Sequence, residues 1–383
     1  MSKFLKSYLL FITLFVFVAG MPILYLYRSG EYLGLDEIIA SQQESNSKVL
    51  YGTALHANTR QYKKELLAKT QPKVIALGSS RVMQFRQHMF SGEFLNLGGG
   101  MESIHDGIKL IPDIIKRKPE LIILGLDIWW FNDRFQSPEM QSSEISFNPT
   151  PSFSHSRRVF KWLRRNKISL NEYILTILQG TPEVSIGVSG FKRDGFGEDG
   201  SYYYTRTVTG QIKPLDKGFN NTFKRINDGN KRFQFNSYAN NQYIDNIVQL
   251  IKKLEKNDMK VIVFFPPFAT SVTEKLNEMK DEYQYISDIK VKLKDSNIVF
   301  SDFSDPMKIK SNDCEFIDGF HGGEITYSRI LDNLVYEYSF LEKYINQDSI
   351  KESIGQYSGR AFIPDNEITE EPEVDFLGLG CKK

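Results

Sequence analysis

The sequence predicts an α/β fold built around a parallel sheet. Three apolar runs stop abruptly at glycine or proline, namely Val74–Leu77, Leu121–Leu124 and Val261–Phe265. Continuous apolar runs of this kind are typical of parallel strands that are buried on both faces. Apolar residues at helical spacing lie between the first two, as from Ile104 to Ile115. Polar residues at the strand ends then predict a site at the carboxyl edge of the sheet.

A membrane anchor is expected at residues 1–30. From Tyr8 to Tyr27 the chain carries no charged residue, and Lys3 and Lys6 precede this run. At ~1.5 Å per residue the run is long enough for a ~30 Å hydrocarbon layer. The two lysines favour a cytoplasmic N-terminus, with the rest of the chain on the outer side of the membrane. The small residues at 18–20 also fit a cleaved signal peptide, but the apolar sequence continues beyond them, which favours an uncleaved anchor.

Residues 31–72 are mostly polar and are expected to form a stalk or linker, with a short helix at Tyr62–Leu67 that leads into the first strand. A helix is expected at Met83–Phe90, and a second strand at Phe94–Leu97. Gly98–Gly100 follow that strand directly. Because glycines let a backbone approach a ligand closely, these residues either present amide hydrogens to a ligand or form a plain turn.

From about residue 133 to 239 the regular alternation of predicted strands and helices is lost, and we expect an insertion that forms a lid or a partner surface. Just before it, Trp129 and Trp130 either line a pocket or cap the core. Tyr203, in the middle of three tyrosines, could stack on a sugar ring or cover the core of a hairpin. A basic run within the insertion fits an anionic membrane surface, an acidic polymer or a solvated helix face. Its members are Arg157, Arg158, Lys161, Arg164, Arg165 and Lys167.

The alternation then resumes. Helices are expected at Tyr243–Leu254, Val272–Leu293 and Tyr327–Tyr344, and a last short strand at Ile298–Phe300. The α/β domain therefore covers residues 73–345. The tail, residues 346–383, is polar and then acidic, a composition that predicts disorder.

Composition excludes several classes of function. The 48 Lys and Arg residues nearly balance the 47 Asp and Glu residues, which argues against a nucleic-acid partner. The five histidines and two cysteines lack the spacing of metal-ligand motifs, so no metal and no cofactor are expected. Cys314 and Cys381 could pair outside the cytosol, but their positions, before an Asp–His pair and in a polar tail, favour unpaired cysteines.

Ser80, Asp318 and His321 are the candidate catalytic residues. Ser80 follows the first strand after Gly78 and Ser79, where a hydroxyl reaches the edge of the sheet. A nucleophilic serine needs a base to take its proton and a carboxylate to orient that base. An aspartate three residues before a histidine can supply both groups from one turn.

The order of these motifs resembles that of the SGNH (GDSL-like) hydrolase superfamily. Gly78–Ser80 resembles its first block, Asn96–Gly100 its second and Asp318–His321 its last. The resemblance covers residues 73–345 apart from the insertion. It implies a flavodoxin-like, three-layer fold with Ser80 as nucleophile, His321 as base and Asp318 as the group that orients the base.

The resemblance also implies an oxyanion site formed by the Ser80 amide with Gly99 or Gly100. Where the superfamily usually has Gly-x-Asn-Asp, this chain has Gly-Leu-Asp ending at Asp127. An ionised carboxylate would repel an oxyanion, so Asp127 can fill the asparagine's role only when it is protonated. Asn132 is the alternative candidate.

The anchor, the Gly-Ser-Ser sequence and the insertion are similar to features of the membrane-anchored SGNH-like proteins that modify cell-envelope polymers, for example in alginate acetylation or teichoic-acid D-alanylation. This likeness implies an esterase or O-acyltransferase on the extracytoplasmic side of a bacterial membrane. Its substrate would be a cell-surface polysaccharide or related polymer, and its partner a membrane-bound O-acyltransferase. There are two alternatives. One is a non-catalytic scaffold that binds polymer or acyltransferase, and the other is a tethered α/β domain in which the order of the motifs is accidental.

Overall fold

The chain folds into two compact units. In the computed structural model, residues 3–45, 47–55, 58–135, 150–181, 185–369 and 371–382 are described. The first unit is Met1–Asn58 with Ser146–Glu198, and the second is Thr59–Ile145 with Asp199–Lys383. The stretch predicted as one insertion, residues 133–239, therefore contributes to both units, although residues 136–149 and 182–184 of it lie outside the described residues.

The helices and strands are as follows. The α-helices are α1 (Lys3–Phe15), α2 (Met21–Arg28), α3 (Leu35–Glu44), α4 (Thr59–Lys69), α5 (Ile104–Arg117), α6 (Phe153–Arg164), α7 (Leu170–Gln179), α8 (Gly187–Phe191), α9 (Thr205–Val208), α10 (Asn220–Asp228), α11 (Asn241–Glu255), α12 (Thr270–Glu278), α13 (Tyr285–Asp295), α14 (Glu324–Glu337) and α15 (Gln347–Tyr357). The strands are β1 (Leu50–Tyr51), β2 (Val74–Gly78), β3 (Phe94–Gly98), β4 (Leu121–Gly125), β5 (Ser185–Ile186), β6 (Asp194–Phe196), β7 (Tyr202–Tyr204), β8 (Lys260–Phe265) and β9 (Ser301–Asp302).

A five-stranded parallel sheet forms the centre of the second unit, with strand order β3-β2-β4-β8-β9. Counted along the chain within this sheet, the order is 2-1-3-4-5, which is the order of flavodoxin-like sheets. The predicted α/β fold with a parallel sheet is confirmed. The last strand lies at Ser301–Asp302 and not at Ile298–Phe300, where Val299 is 74% exposed.

Helices cover both faces of this sheet, which explains why its strands are apolar throughout. Val74 and Ala76 of β2 belong to a buried cluster that includes Tyr327 and Leu331 of α14. On the other side of the sheet, α11 packs against β8 and α5, and α4 packs against β3 and α5. Every residue of β2, β3 and β4 is buried.

The helix predicted at Met83–Phe90 is not formed. Residues after Ser80 make short 3-10 turns instead, one of them at Gln87–Met89. The Asn96 amide donates to the carbonyls of Val82 and Phe85, each at 2.9 Å. Because an α-helix would need those carbonyls for its own hydrogen bonds, the asparagine stabilises an irregular path.

The first residues are helical in three consecutive segments, α1, a π-helical turn at Val16–Gly20, and α2. Within the described ranges, no helix reaches the length and apolar character needed to cross a membrane. The first unit also contains a small sheet in which β1 pairs with β5 in parallel and with β6 antiparallel. The predicted stalk is folded, because α4 buries Tyr62, Lys63, Leu66 and Leu67.

The C-terminal tail is ordered, contrary to the prediction of disorder. After α15 the chain buries apolar residues, among them Phe362, Ile368 and Leu377. Cys314 and Cys381 form a disulfide with a Cα–Cα separation of 5.8 Å, so the preference for unpaired cysteines was wrong. Acidic composition predicts disorder only where too few apolar groups can be buried, and this tail has enough of them.

Candidate functional site

Ser80 lies at the carboxyl edge of the parallel sheet. Strand β2 ends at Gly78, and the Ser79 hydroxyl accepts the Arg81 amide at 3.1 Å, which caps the following turn. This tight turn directs the chain away from the sheet immediately after the serine. The Ser80 side chain is therefore held at the strand end predicted from the sequence.

A hydrogen-bond chain joins Ser80, His321 and Asp318. The Ser80 Oγ lies 2.9 Å from Nε2 of His321, and Nδ1 of the same ring lies 2.8 Å from Oδ2 of Asp318. Because an aspartate oxygen faces Nδ1, that nitrogen carries the proton and Nε2 is left to accept the serine proton. The structure thus brings together all three residues that the sequence singled out.

The Asp318 carboxylate is held in its ionised form. Its Oδ1 accepts the amides of Phe320 and His321 at 2.9 and 2.8 Å. Burial raises the pKa of Asp318, but the charge of His321 and these hydrogen bonds outweigh it, so the net pKa lies below the usual range. An ionised Asp318 stabilises the imidazolium that forms when His321 takes a proton.

Asp216, which the sequence did not indicate, supports the turn that carries His321. Its Oδ2 accepts the Gly319 amide at 3.0 Å and the Thr222 hydroxyl at 2.6 Å. Its Oδ1 accepts the amides of Asn221 and Thr222 at 2.8 and 3.0 Å. The buried carboxylate therefore joins the start of α10 to the turn Asp318–His321, which is called the histidine turn below.

Arg81 is buried next to the site, and its contacts explain why residue 127 is an aspartate. Its guanidinium donates to the carbonyls of Phe320, Pro266 and Pro267 at 2.7 to 2.8 Å. It also pairs with Oδ1 of Asp127 at 3.2 Å, and both side chains are only 1% exposed. Asp127 is thus the counter-ion of a buried arginine. No local pattern in the sequence indicated this pair, because its two residues are 46 positions apart.

The contact with Arg81 does not suit Asp127 as an oxyanion donor. Burial raises the pKa of its carboxyl group, and the charge of Arg81 opposes that rise. Its second oxygen has no hydrogen-bond partner among the described residues. Since Oδ1 faces Arg81, the carboxylate acts as an acceptor there, and the oxyanion role considered for Asp127 finds no support.

The glycines after β3 are close-packed. The Gly99 amide donates to the Gly78 carbonyl at 3.1 Å, and the Gly100 amide to the Leu97 carbonyl at 2.9 Å. Gly99 has φ +77°, and a Cβ placed there would lie 2.2 Å from the Met83 methyl carbon, so only glycine fits. In this conformation neither amide is available for an oxyanion.

The Ser80 amide remains available. It donates no hydrogen bond within the part of the chain that the structure describes. Of the donors named from the sequence, this amide is the one placed to face an oxyanion formed at its own hydroxyl. Of the backbone amides named from the sequence, one therefore remains as a donor where the resemblance implied two.

Asn132 serves the surrounding loops. Its Nδ2 donates to the Gln234 carbonyl at 2.7 Å, and its Oδ1 accepts the Arg134 amide at 3.0 Å and the Asn236 amide group at 3.1 Å. The side chain is buried. It is thus engaged in holding the 132–134 and 234–236 segments together, which leaves its role as an oxyanion donor without support.

Trp129 and Trp130 cap the core. They are 1% and 3% exposed, so neither can contact a substrate as the other interpretation required. The Trp129 ring packs edge-on against Phe320 with centroids 6.1 Å apart, and Phe320 in turn contacts the His321 ring at 4.4 Å. The tryptophan thus supports the histidine turn from within the core.

Tyr203 stacks on an arginine. The Arg86 guanidinium carbon lies 3.8 Å from the centre of the Tyr203 ring. Burial raises the pKa of the Tyr203 hydroxyl. The ring face considered for sugar stacking is therefore covered on one side by a cation.

Two further arginines that the sequence did not indicate lie near the histidine turn. The guanidinium carbons of Arg225 and Arg232 are each 5.8 Å from the centre of the Phe320 ring. Arg232 also pairs with Glu102 at 3.3 Å. Both guanidinium groups therefore lie near the aromatic ring that precedes His321.

Comparison with protein-family models, curated proteins and solved structures finds no match for this chain. Among the described residues, no group of three or more His, Cys, Asp or Glu side chains could hold a metal ion. The fold and the site define an α/β protein with a serine, histidine and aspartate hydrogen-bond chain at the edge of its sheet. Its function must be argued from that geometry.

Proposed function

We propose that this protein is a serine acyl esterase or O-acyltransferase of the SGNH type. The observation that carries the proposal is the continuous hydrogen-bond chain from Ser80 through His321 to Asp318 at the carboxyl edge of the sheet. Residues from two separate sequence motifs meet there, and Ser80 and His321 are 241 positions apart. An accidental order of motifs gives no reason for that meeting.

In the proposed reaction, Ser80 Oγ attacks the carbonyl carbon of an acyl ester or thioester while its proton passes to Nε2 of His321. The bond to the leaving group then breaks, and Nε2 returns the proton to the leaving oxygen or sulfur. Water or a sugar hydroxyl attacks the acyl-serine in the second half, and its proton passes to Nε2. The bond between Oγ and the acyl carbon then breaks, and Nε2 returns that proton to Ser80 Oγ. Asp318 stays ionised and orients the ring throughout.

The proposed substrate is a cell-surface polysaccharide or related envelope polymer, and the proposed partner is a membrane-bound O-acyltransferase. The charge-free run from Tyr8 to Tyr27 supports an N-terminal anchor at residues 1–30, with the second unit on the extracytoplasmic side. The Cys314–Cys381 disulfide supports that side, because disulfides persist in oxidising compartments. Arg225, which forms no salt bridge within the described residues, favours a polymer that carries negative charge.

A fluorophosphonate probe tests the proposed chemistry on the full chain in detergent. We expect intact mass to show one adduct on the wild type and none on Ser80→Ala, and His321→Ala to react far more slowly. Ser287→Ala is the matched control, because that serine is exposed on α13, and it should label like the wild type. Equal labelling of wild type and Ser80→Ala would contradict the proposal.

The second candidate function is a scaffold that binds polymer or acyltransferase without catalysing acyl transfer. It is favoured by the engaged amides of Gly99 and Gly100 and by the Asp127–Arg81 pair, which leave one oxyanion donor. Loss of one such donor costs about 10²–10³ in rate, so chemistry would be slowed and not abolished. A folded wild type that gives no adduct would favour the scaffold.

A further inference from the structure

One face of α6 combines aromatic and basic residues. Counted from Phe153, four residues follow at 4, 7, 8 and 11 positions and therefore share one side of the helix, namely Arg157, Phe160, Lys161 and Arg164. All five are exposed, with Phe153 at 52% and Phe160 at 42%. The Arg157 guanidinium lies 5.3 Å from the centre of the Phe153 ring.

This exposure does not reflect a helix without a core. The opposite face of α6 is buried through Ser156, Val159 and Trp162. Val159 and Trp162 pack in a cluster with Tyr25 and Leu26 of α2. The helix therefore has its apolar core face filled, and the two phenylalanines are additional apolar residues that face outward.

Helix α7 exposes a second apolar surface in the same unit. Leu170, Ile174, Leu175 and Leu178 are 65%, 46%, 41% and 68% exposed. Helix α2, which packs against both α6 and α7, adds Leu24 and Tyr27 at 42% and 67%. Scattered exposed leucines are normal in proteins, but a cluster of this size marks an interaction surface.

The charges on this surface have one sign. Arg157, Lys161 and Arg164 form no salt bridge within the described residues. The acidic residue of α7, Glu172, is paired with Lys192 at 3.1 Å. Protein interfaces are depleted of lysine at their centres, whereas helices that lie on membranes combine apolar residues with lysine and arginine.

We propose that α6 and α7 rest on the surface of an anionic lipid bilayer. The aromatic and aliphatic side chains enter the boundary between headgroups and acyl chains, and Arg157, Lys161 and Arg164 contact lipid phosphates. Helix α1, in which no residue is buried, precedes α2 and continues the exposed apolar surface. This inference shares a membrane location with the proposed function but does not depend on its chemistry.

The test uses the full chain, because Cys314 and Cys381 are paired and an introduced cysteine is then the single thiol to label. A fluorophore is attached to Leu178→Cys, or to Val299→Cys as the control in the second unit, where the native side chain is 74% exposed. Each protein is reconstituted into phosphatidylcholine vesicles with or without phosphatidylglycerol, and quenching by nitroxide-labelled lipid and by aqueous iodide is compared.

We expect nitroxide lipid to quench the probe at 178 and iodide to quench the probe at 299, with stronger lipid quenching at 178 when phosphatidylglycerol is present. Replacing Arg157, Lys161 and Arg164 by glutamine should remove that dependence on anionic lipid. The same replacement of Lys252, Lys253 and Lys256, exposed near the end of α11, should not.

Iodide quenching at 178 equal to that at 299 would overturn the inference. So would a probe at 178 that is protected from iodide but not quenched by nitroxide lipid, since that result means a second copy or another protein covers the surface. Because no activity is measured, either result leaves the proposed function to be judged by its own experiment.

Discussion

At the scale of single residues, the ion pair between Arg81 and Asp127 determines the role of the residues that follow β4. Both side chains are 1% exposed, and the guanidinium also binds the carbonyls of Phe320, Pro266 and Pro267. The arginine therefore joins the ends of β2, β4 and β8 to the histidine turn. Its buried charge needs a counter-ion, which an asparagine at 127 would not supply.

Asp127→Asn should destabilise the protein without activating it. Breaking a buried ion pair leaves Arg81 without its counter-charge, and we expect a loss of about 3 kcal/mol in the free energy of unfolding. The new amide would face Arg81, so fluorophosphonate labelling should not become faster. Denaturant unfolding and labelling rates check both points, with Asp245→Asn, an exposed aspartate of α11, as control. A faster reaction would restore the oxyanion role for this position.

Lys63 predicts a pH dependence of stability. Its ammonium group is fully buried and donates to the carbonyls of Asn96, at 2.8 Å, and Gly200. Burial lowers the pKa of Lys63 from 10.5 to about 7. Between these values the unfolded chain binds more protons than the folded one, so this residue makes stability rise with pH, by up to about 5 kcal/mol.

The measurement is the free energy of unfolding of wild type and Lys63→Met at several pH values. The gain in stability from pH 7 to pH 10 should be larger for the wild type than for the variant. Lys64→Met, an exposed neighbour on α4, should follow the wild type. Parallel curves for wild type and Lys63→Met would show that the buried lysine keeps its ordinary pKa.

At the scale of elements, the start of α10 and the histidine turn behave as one piece. Asp216 binds the Asn221 and Thr222 amides of α10 and the Gly319 amide of the turn. A Cβ on Gly319 would lie 2.8 Å from Thr222 atoms, so the two segments are in close contact. The position of His321 therefore depends on a segment about a hundred residues earlier in the sequence.

Asp216→Asn should slow the reaction of Ser80 with fluorophosphonate. An amide group cannot accept all four hydrogen bonds, so the turn shifts, and small misplacements of a catalytic group cost about tenfold to a hundredfold in rate. The maximal labelling rate should fall while the probe concentration at half-maximal rate stays unchanged. Asp228→Asn, at the exposed end of α10, is the control. A change in half-maximal concentration alone would contradict a positioning role.

The C-terminal tail is held at several points. The Glu373 amide donates to the Val208 carbonyl at 2.7 Å, and the Gly218 amide donates to the Leu377 carbonyl at 2.8 Å. The disulfide then joins Cys381 to Cys314, four residues before Asp318. The tail thus spans the segment that contains Asp216 and ends beside the histidine turn.

Replacing both cysteines by serine should lower stability by about 4 kcal/mol, because the cross-link closes a loop of 67 residues in the unfolded chain. Denaturant unfolding of the oxidised protein, the reduced protein and the double variant checks this prediction. The reduced wild type and the double variant should agree. If all three unfold at the same denaturant concentration, the tail contributes through its packing alone.

At the scale of the whole molecule, local sequence patterns predicted the structural features that depend on residues close together in the chain. Strands β2, β4 and β8 and the proximity of Ser80 to His321 follow from apolar runs and short motifs. The partner of Asp127, the acceptors of the Gly99 and Gly100 amides and the disulfide depend on which distant segments meet, and no local signal encodes that. Asp216 is the clearest case, because its key acceptor contact is with Gly319, 103 positions away.

The separation of 241 positions between Ser80 and His321 has a consequence for biosynthesis. As the chain emerges from the ribosome, the serine is exposed long before its base has been made. Until the histidine turn and α14 have docked, Ser80 is an ordinary hydroxyl group without a base beside it. A nascent or prematurely terminated chain without His321 therefore cannot form this hydrogen bond, and the arrangement arises only in a nearly complete molecule.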